Sequence, residues 1–215
     1  APISEAGWKT PKYERLRAVF VKHLAAGEAL PEVPPRNPVI AVPDITLGEC
    51  CPLLSNLPKP AELVRPVYME NLGQSQGCVL YRTKMPAGEG DRLLLHDLHD
   101  YCVVMMNGQK VGTIERRLLQ NSLVLPSRTN GTTLDLLVVA EGRINSGSRM
   151  RECKGLAGKV ELVETRNVCE LMDWKAFSLP LASSDLRHLR CAEGSSSAPA
   201  FYRARFTLRK KGDTF

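Results

Sequence analysis

The densest group of side chains that could do chemistry is His96-Asp97-Leu98-His99-Asp100, which holds two imidazoles and two carboxylates. Such donors suit a metal ion like zinc, provided that three or four of them converge on one point. If the segment is a strand, His96 and His99 point to opposite faces of the sheet, and their imidazoles do not converge. No third and fourth ligand stands out elsewhere. The pattern therefore favours a polar loop between two strands, and we predict no metal site and no cofactor.

Two pairs of carboxylates, Glu161 with Glu164 and Asp97 with Asp100, could supply an acid and a base to one bond. Hydrolysis of a glycoside with retention needs two carboxyl groups about 5–5.5 Å apart that face the same sugar. Nothing in the sequence marks either pair as buried, so solvated surface positions are the better interpretation. Nucleophile-elbow and phosphate-loop patterns are missing too, since Gly88-Glu89-Gly90 lacks a third glycine and a following helix. We predict no catalytic residue in this chain.

The composition is that of an ordinary globular protein, with 43% hydrophobic and 24% charged residues in a chain of 215. No apolar run approaches the roughly 20 residues that cross a bilayer, so we predict no membrane span. The net charge of +6 is concentrated between Arg187 and Lys211, where seven Lys or Arg accompany one acid, Glu193. Because only 6% of the residues are aromatic, this segment indicates a solvated face, and we predict no nucleic-acid partner.

Seven cysteines are scattered along the chain without a C-x-x-C pair, and Cys50 and Cys51 are adjacent. The odd number and irregular spacing match neither a metal site nor the disulfide framework of a small secreted domain. We predict that most of them are small buried hydrophobic side chains. The sequence leaves any disulfide pairing open.

One helix is predicted near the N-terminus, with Thr10 as N-cap, Pro11 at the first helical position and Gly27 at the end. Its apolar positions follow helical spacing: Tyr13, Leu16, Val19, Phe20, His23 and Leu24. We expect this face, together with Trp8, to be a docking surface. Prolines at 31, 34, 35, 38 and 43 then predict an extended connector.

From about Leu63 to Thr165 the pattern predicts a mainly β protein, an antiparallel β-sandwich of the jelly-roll, galactose-binding-like type. The predicted strands are Cys78–Arg82, Arg92–His96, Tyr101–Met106, Val111–Ile114, Ser122–Leu125, Leu134–Val139 and Val160–Val163. Asn107-Gly108 accepts the positive φ angles of a tight turn and predicts a hairpin. The apolar run Leu134–Val139 predicts a central strand buried on both faces.

Further along, Phe201–Leu208 alternates and predicts a strand whose buried face carries Tyr202, Ala204 and Phe206. Gly212-Asp213-Thr214-Phe215 follows it, and both chain ends are expected to continue into a longer protein. Neither Trp8 nor Trp174 falls inside the predicted sandwich.

Several stretches, in order along the chain, resemble β-galactosidases of glycoside hydrolase family thirty-five. The resembling stretches are Ala1-Pro2-Ile3-Ser4-Glu5-Ala6-Gly7, Met69-Glu70-Asn71-Leu72-Gly73-Gln74-Ser75-Gln76-Gly77, Val104-Met105-Met106-Asn107-Gly108, Leu134-Asp135-Leu136-Leu137-Val138, Ala198-Pro199-Ala200-Phe201-Tyr202 and Gly212-Asp213-Thr214-Phe215. The resemblance implies the end of a catalytic (β/α)₈ barrel over residues 1–30 and an extended linker over 31–62. It further implies a first β-sandwich domain over 63–165, a connector over 166–197 and the start of a second β-sandwich over 198–215.

The same resemblance implies hydrolysis of terminal non-reducing β-galactose residues with retention, by two glutamates of the barrel. The acid/base in such barrels usually follows an asparagine, and no Asn-Glu pair occurs here, so no catalytic residue is carried over. The implied role is that of a non-catalytic C-terminal region. Its expected partners are the barrel of the same polypeptide and, through the parent enzyme, a galactoside. A homo-oligomer stays open. The implied compartment is lysosomal, secreted or periplasmic, with a cytoplasmic bacterial enzyme also open.

One loop departs from the family pattern. The family often has an aromatic residue after Gly-Arg-x-Asn, whereas this chain has Ser146 after Gly142, Arg143 and Asn145. These four residues are predicted to face the barrel. A plain sandwich turn held by hydrogen bonds of Arg143 and Asn145 is the favoured alternative to direct sugar contact.

At the level of the whole chain, two other functions compete with that of a supporting region. One is a free-standing carbohydrate-binding module, which exposed aromatics on a concave face would favour, and the other is a structural interaction domain.

Overall fold

The computed structural model describes residues 1–35, 42, 44–164 and 167–207. Two compact units are formed, one by Leu47–Arg203 and one by the residues on either side of it. Pro38 and Pro43 of the predicted connector, its neighbours 36–41, the predicted boundary at Thr165 and the 212–215 motif lie outside the described residues. Within the described part, no helix combines the length and hydropathy that a membrane span requires.

The other unit contains the helix α1, which spans Pro11–Val21 and has no buried residue. Its carboxyl end is tightened by backbone bonds three residues back, which stops the helix before the predicted Gly27 and leaves His23 and Leu24 outside. Thr10 is the N-cap and Pro11 the first helical residue, as predicted, but the Thr10 hydroxyl donates to the carbonyl of Pro2 at 2.9 Å instead of capping the helix. The apolar face predicted for docking is exposed, with Phe20 58% accessible.

In the unit Leu47–Arg203, the described residues form thirteen short strands joined by turns. These are β1 Glu49–Pro52, β2 Ala61–Leu63, β3 Cys78–Met85, β4 Arg92–His99, β5 Tyr101–Met106, β6 Gln109–Glu115, β7 Ser122–Val124, β8 Thr132–Val139, β9 Gly155–Val163, β10 Val168–Glu170, β11 Trp174–Leu179, β12 Ala192–Glu193 and β13 Ala200–Arg203, with a short helix α2 at Ser183–Arg187. All of the predicted sandwich strands are present; β3, β4, β6, β8 and β9 extend beyond their predicted bounds, and β7 ends one residue earlier than predicted.

Three antiparallel sheets result, ordered β2-β11-β3-β8-β5-β6, β10-β9-β4-β7 and β12-β1-β13. The six- and four-stranded sheets enclose the main core, which includes Val79, Tyr81, Leu93, Leu95, Val104, Leu134, Leu136, Val138, Leu156, Val160 and Leu162. A second cluster on the six-stranded sheet joins Leu53, Leu80, Met105, Leu137 and Phe177 with Phe201 of the small sheet. Strand β8 contributes to both clusters, which confirms the prediction that Leu134–Val139 is buried on both faces.

The predicted hairpin is confirmed, since β5 pairs with β6 across Asn107 and Gly108. Both turn residues have positive φ, 49° and 80°. Asn and Gly tolerate this left-handed region better than other residues do, which is why this dipeptide is a reliable hairpin signal.

Trp174 was placed outside the sandwich, and this prediction is wrong. It begins β11, is 0% exposed in the main core, and donates from its indole nitrogen to the Leu171 carbonyl at 2.8 Å. Strand β11 pairs with β3 and β2, which precede it by some hundred residues. A strand held by such distant partners leaves little trace in the local pattern.

The predicted strand Phe201–Leu208 is shorter and faces the other way. Strand β13 ends at Arg203, Leu208 lies outside the described residues, and Tyr202 and Phe206 are exposed. Phe201 instead packs against the second cluster, because it pairs with Cys51 of β1 in the small sheet. Because successive side chains of a strand point to opposite faces, Tyr202 then faces away from that cluster.

The cysteines follow their prediction only in part. Cys50, Cys78 and Cys102 are free and buried, as expected of small hydrophobic side chains. Cys51 and Cys191 form a disulfide that the sequence did not predict, across 140 positions of the chain. It joins β1, the central strand of the small sheet, to the residue that directly precedes β12.

Candidate functional site

A cluster of charged side chains lies at one end of the sandwich, where loops of both large sheets meet. Arg116 donates to both carboxylate oxygens of Glu152, at 2.6 and 2.7 Å, and to Asp100 at 3.2 Å. Lys154 donates to Asp100 at 2.7 Å and approaches Glu152 at 3.4 Å. Two cations and two carboxylates thus form a closed network, in which the Lys154 side chain is only 4% exposed.

Strand pairing brings these four residues together. Asp100 connects β4 to β5, Arg116 directly follows β6, and Lys154 directly precedes β9. In the six-stranded sheet Tyr101 pairs with Glu115, and in the four-stranded sheet His99 pairs with Gly155. Asp100, Arg116 and Lys154 are therefore each the first residue beyond a paired position, at the same end of the sandwich, and Glu152 lies in the loop two residues before Lys154.

The electrostatics of the cluster keep Glu152 ionised. The hydrogen bonds from Arg116 lower the pKa of Glu152 to about 2, against the opposing effect of burial. The same pair raises the pKa of Arg116 above its ordinary value. A general acid at neutral pH needs a raised pKa, so Glu152 is unsuited to that role and the arrangement serves to hold loops.

The loop predicted to face the barrel is anchored beside this cluster through one of its four residues. Arg143 donates to the Ser75 carbonyl at 3.0 and 2.9 Å and pairs with Glu70 at 2.6 Å. Burial opposes ionisation of Glu70, but hydrogen bonds from backbone N–H groups and from Arg143 lower its pKa overall. Gly142, Asn145 and Ser146 are exposed. Arg143 thus ties the loop to the sandwich by hydrogen bonds, and the orientation of the loop toward a barrel stays a prediction.

The histidine-rich segment is part of strand β4 rather than a loop between strands, which corrects that prediction. The His96 ring nitrogen Nε2 contacts Glu161 at 2.5 Å. His99 contacts the Cys153 carbonyl at 2.6 Å through Nδ1 and Asp97 at 3.1 Å through Nε2. Among the described residues no group of three or more His, Cys, Asp or Glu is arranged to hold a metal ion.

An aromatic side chain stacks on His99 and completes this second polar group. The ring of Tyr68 lies parallel to the imidazole, with centroids 5.8 Å apart, and its hydroxyl donates to Asp97. Burial and this hydrogen bond raise the pKa of Tyr68 to about 12. The tyrosine therefore stays protonated at neutral pH and bridges residues 67–69 to β4.

A groove of about 700 Å³ crosses the outer surface of the six-stranded sheet, between Leu54 and the hairpin turn. Among its described lining residues the aromatic one is Phe177, which is 6% exposed and lies beneath the guanidinium of Arg82 at 5.5 Å. Arg82 in turn is held by Asp135 at 2.6 and 3.1 Å. The ring is covered, so the groove offers no open aromatic face on which a sugar could stack.

Arg116, Glu152 and Lys154 were not predicted as site residues. The sequence signal that could have found such residues is a charged residue directly before or after a predicted strand, at the end where that strand pairs with its neighbour. That signal was hidden for Lys154, because the predicted strand began at Val160 and β9 begins at Gly155. For Arg116 and Glu152, the pairing depends on contacts between distant parts of the chain.

Comparison with known proteins points to one family. The model of the first all-beta domain of beta-galactosidases matches residues 66–180. The chain is 35% identical over 216 residues to a beta-galactosidase of Xanthomonas manihotis, covering 100% of this chain and 35% of that protein. It is 34% identical over 219 residues to mouse beta-galactosidase-1-like protein 3, covering 94% of this chain and 32% of the relative.

Human beta-galactosidase is 31% identical over 236 residues, with 97% of this chain and 33% of the human protein covered. The chain therefore spans about a third of the length of these curated relatives. The match over residues 66–180 coincides with the antiparallel strands β3 to β11 and ends just after Leu179. The chain belongs to the beta-galactosidase family and contains its first all-beta domain.

Proposed function

We propose that this chain is a non-catalytic region of a β-galactosidase that removes terminal non-reducing β-galactose with retention, and that it supports a catalytic barrel of the same polypeptide. On this proposal residues 1–30 complete the barrel, the first sandwich expected over 63–165 continues through β11 to Leu179, and 198–215 begin a second one. The observation that carries it is the match of residues 66–180 to the first all-beta domain of beta-galactosidases, in a chain that spans about a third of the length of its relatives. The charge cluster agrees with a supporting role, because Asp100 and Glu152 are both paired with Arg116 and Lys154.

The competing function of a free-standing carbohydrate-binding module has less support. Sugar-binding grooves commonly present an open aromatic ring beside planar polar groups. In the outer groove Arg82 covers Phe177, and both oxygens of Asp135 are already occupied by that arginine. The groove thus resembles a closed structural contact more than a binding platform.

The loop around Arg143 and the helix α1 are the surfaces that we assign to the barrel. The loop residues Gly142, Arg143, Asn145 and Ser146 are exposed, and their base is fixed to the sandwich by Arg143. The helix exposes Val19 and Phe20 by 51% and 58%. Rigid, exposed segments of this kind are suited to contact a neighbouring domain.

The disulfide supports an oxidising compartment for the protein. Cys51 and Cys191 are joined, and such bonds persist mainly in secreted, periplasmic or comparable environments. We therefore favour a secreted, periplasmic or lysosomal enzyme over a cytoplasmic one.

The test uses the product of the complete reading frame that contains this chain, called the complete protein below. It should hydrolyse a chromogenic β-galactoside. Ile144→Asp, in the exposed loop, should shorten the half-life of activity at elevated temperature about fivefold through weakened docking, with KM unchanged. Val168→Asp is the matched control on the exposed strand β10 and should leave both values unchanged.

Two outcomes would contradict the proposal. A raised KM with an unchanged half-life in Ile144→Asp would mean that the loop contacts substrate rather than the barrel. A complete protein without β-galactosidase activity would overturn the assigned function as a whole.

A further inference from the structure

The turn after strand β6 carries an unusual leucine. A short 3-10 helix at Arg116–Leu118 ends at Leu119, whose φ of +58° lies in the left-handed region. Leu119 is 93% exposed. For an L-residue other than Gly, Asn or Asp this conformation costs about 1–2 kcal/mol. Gly normally occupies such a helix end. Leu119 therefore adds backbone strain and leaves an apolar side chain in water.

The turn is held firmly in this strained shape. The Leu119 N–H donates to the Arg116 carbonyl at 2.8 Å, and the Gln120 N–H donates to the Glu115 carbonyl at 3.2 Å. The Gln120 side chain accepts from the Glu115 N–H at 3.1 Å. Arg116, at the base, is fixed by Glu152 and Asp100. The leucine is thus presented from a rigid support, which lowers the entropy cost of binding a partner.

The surroundings of the turn are apolar as well as charged. Leu118 is 58% exposed beside Leu119. Arg116 and Arg117 line the same surface depression, of about 470 Å³, as Gly142, Arg143 and Ile144. Ile144 and, further along that loop, Met150 are 37% and 59% exposed. Leu119 therefore belongs to the same end of the sandwich as the loop assigned to the barrel.

We propose that Leu119 is the anchor of the interface between this domain and the catalytic barrel of the same polypeptide, an inference that rests on the proposed function. The occupant follows from the available area. A stable complex of separate proteins needs about 800 Å² of buried surface per partner, and even a fully buried aromatic side chain contributes only about 150–250 Å². The exposed parts of four apolar side chains supply less than the area that such a complex needs; these are Leu118, Leu119, Ile144 and Met150. A tethered neighbour needs less, because its effective concentration is in the millimolar range.

The experiment replaces Leu119 by glycine in both the 215-residue chain and the complete protein. In the chain alone, Leu119→Gly relieves the left-handed strain and should raise the melting temperature by about 1–3 °C. In the complete protein the same change removes the anchor, so the melting temperature should fall by about 2–4 °C and the half-life of activity about fivefold. Asparagine tolerates the same φ, so in the complete protein Leu119→Asn should lower the melting temperature and the half-life of activity in the same way.

The matched control is Leu181→Gly, because Leu181 also has positive φ, +59°, and is 37% exposed, but follows β11. It should raise the melting temperature of both proteins. If Leu119→Gly also stabilises the complete protein, the leucine is an ordinary surface turn and the proposal is wrong. If the variant instead dissociates a dimer in light scattering, the occupant is a second copy and the barrel assignment is wrong. An inactive wild-type complete protein overturns the proposed function but leaves the sign of these shifts readable.

Discussion

At the scale of single residues, the molecule keeps its charged groups in pairs where two sheets meet. Lys154 is nearly fully buried and finds Asp100 and Glu152 within reach, so its ammonium is never left without an acceptor. Removing one member of such a network costs more than removing an exposed pair, because a buried charge then loses its partner. The same network holds the turn that presents Leu119 and lies beside the Arg143 loop.

Replacing Arg116 by alanine should lower the free energy of unfolding at pH 7 by about 2–3 kcal/mol, since the low pKa of Glu152 depends on that guanidinium. The sign follows from the depressed folded-state value. This contribution is complete above the ordinary pKa of 4.5 and is lost as the pH falls from 4.5 through about 2. Urea unfolding at pH 7 and pH 3 should therefore show a smaller difference between wild type and variant at pH 3.

Arg117→Ala is the control for that measurement. Arg117 pairs with Glu115, but its side chain is 77% exposed, and exposed ion pairs contribute little. Its loss should leave the unfolding free energy close to that of wild type at either pH. An Arg117 effect as large as that of Arg116 would show that the buried network has no special weight.

Little of this residue-scale arrangement could be predicted from the sequence. The anchoring of Arg143 could, because the resemblance pointed to the loop that contains it. The partners of Arg116 and Lys154 could not be predicted, because these charged residues are brought together by the pairing of β5 with β6 and of β4 with β9. Local patterns carry no information on which distant charges will meet.

At the scale of elements, the loop between residues 69 and 78 must approach β11 very closely. Gly77 has φ +84°, and a Cβ at that position would lie 2.2 Å from the backbone oxygen of Leu179. Gly73 in the same loop has φ +71° but open space around it. The two glycines share the backbone requirement and differ only in the steric one.

Gly77→Ala should therefore destabilise the protein by at least about 2 kcal/mol more than Gly73→Ala, because backbone atoms must move to accommodate the methyl group. Gly73→Ala should cost about 1 kcal/mol, from the left-handed backbone alone. Chemical denaturation of the two variants checks the difference. Equal losses would mean that the loop does not press on β11.

The elements themselves were largely predictable, because sandwich strands carry period-two or fully apolar patterns and turn residues separate them. The hairpin at Asn107-Gly108 and the central position of Leu134–Val139 follow from those signals. Strand β11 and the face of β13 did not, since their pairing with β3 and β1 is set by contacts more than 90 residues away. Trp174 consequently looked like a connector residue although it completes the core.

At the scale of the whole molecule, the disulfide links parts of the chain that are far apart in sequence. Closing a long loop lowers the entropy of the unfolded chain, and typical disulfides contribute about 2–4 kcal/mol. The double variant Cys51→Ser with Cys191→Ser should lose about that much. Thermal unfolding under non-reducing conditions measures it, with the half-buried free cysteine variant Cys169→Ser as control. A melting temperature equal to that of wild type would show that the cross-link is dispensable.

The central claim is that this region belongs to a β-galactosidase but does not contain its chemistry. General acid catalysis alone accelerates such reactions by about 10²–10⁴-fold, and a retaining glycosidase also needs a nucleophile on the same sugar. The pKa of Glu152 and of Glu70 are lowered, which is opposite to what an acid catalyst requires.

The most direct test is an assay of the purified 215-residue chain with a chromogenic β-galactoside at high protein concentration, beside the complete protein. We expect turnover from the complete protein and none above background from the chain. Turnover by the chain that persists through purification and disappears when one of its own carboxylates, such as Glu152 or Asp100, is changed to the amide would contradict the account.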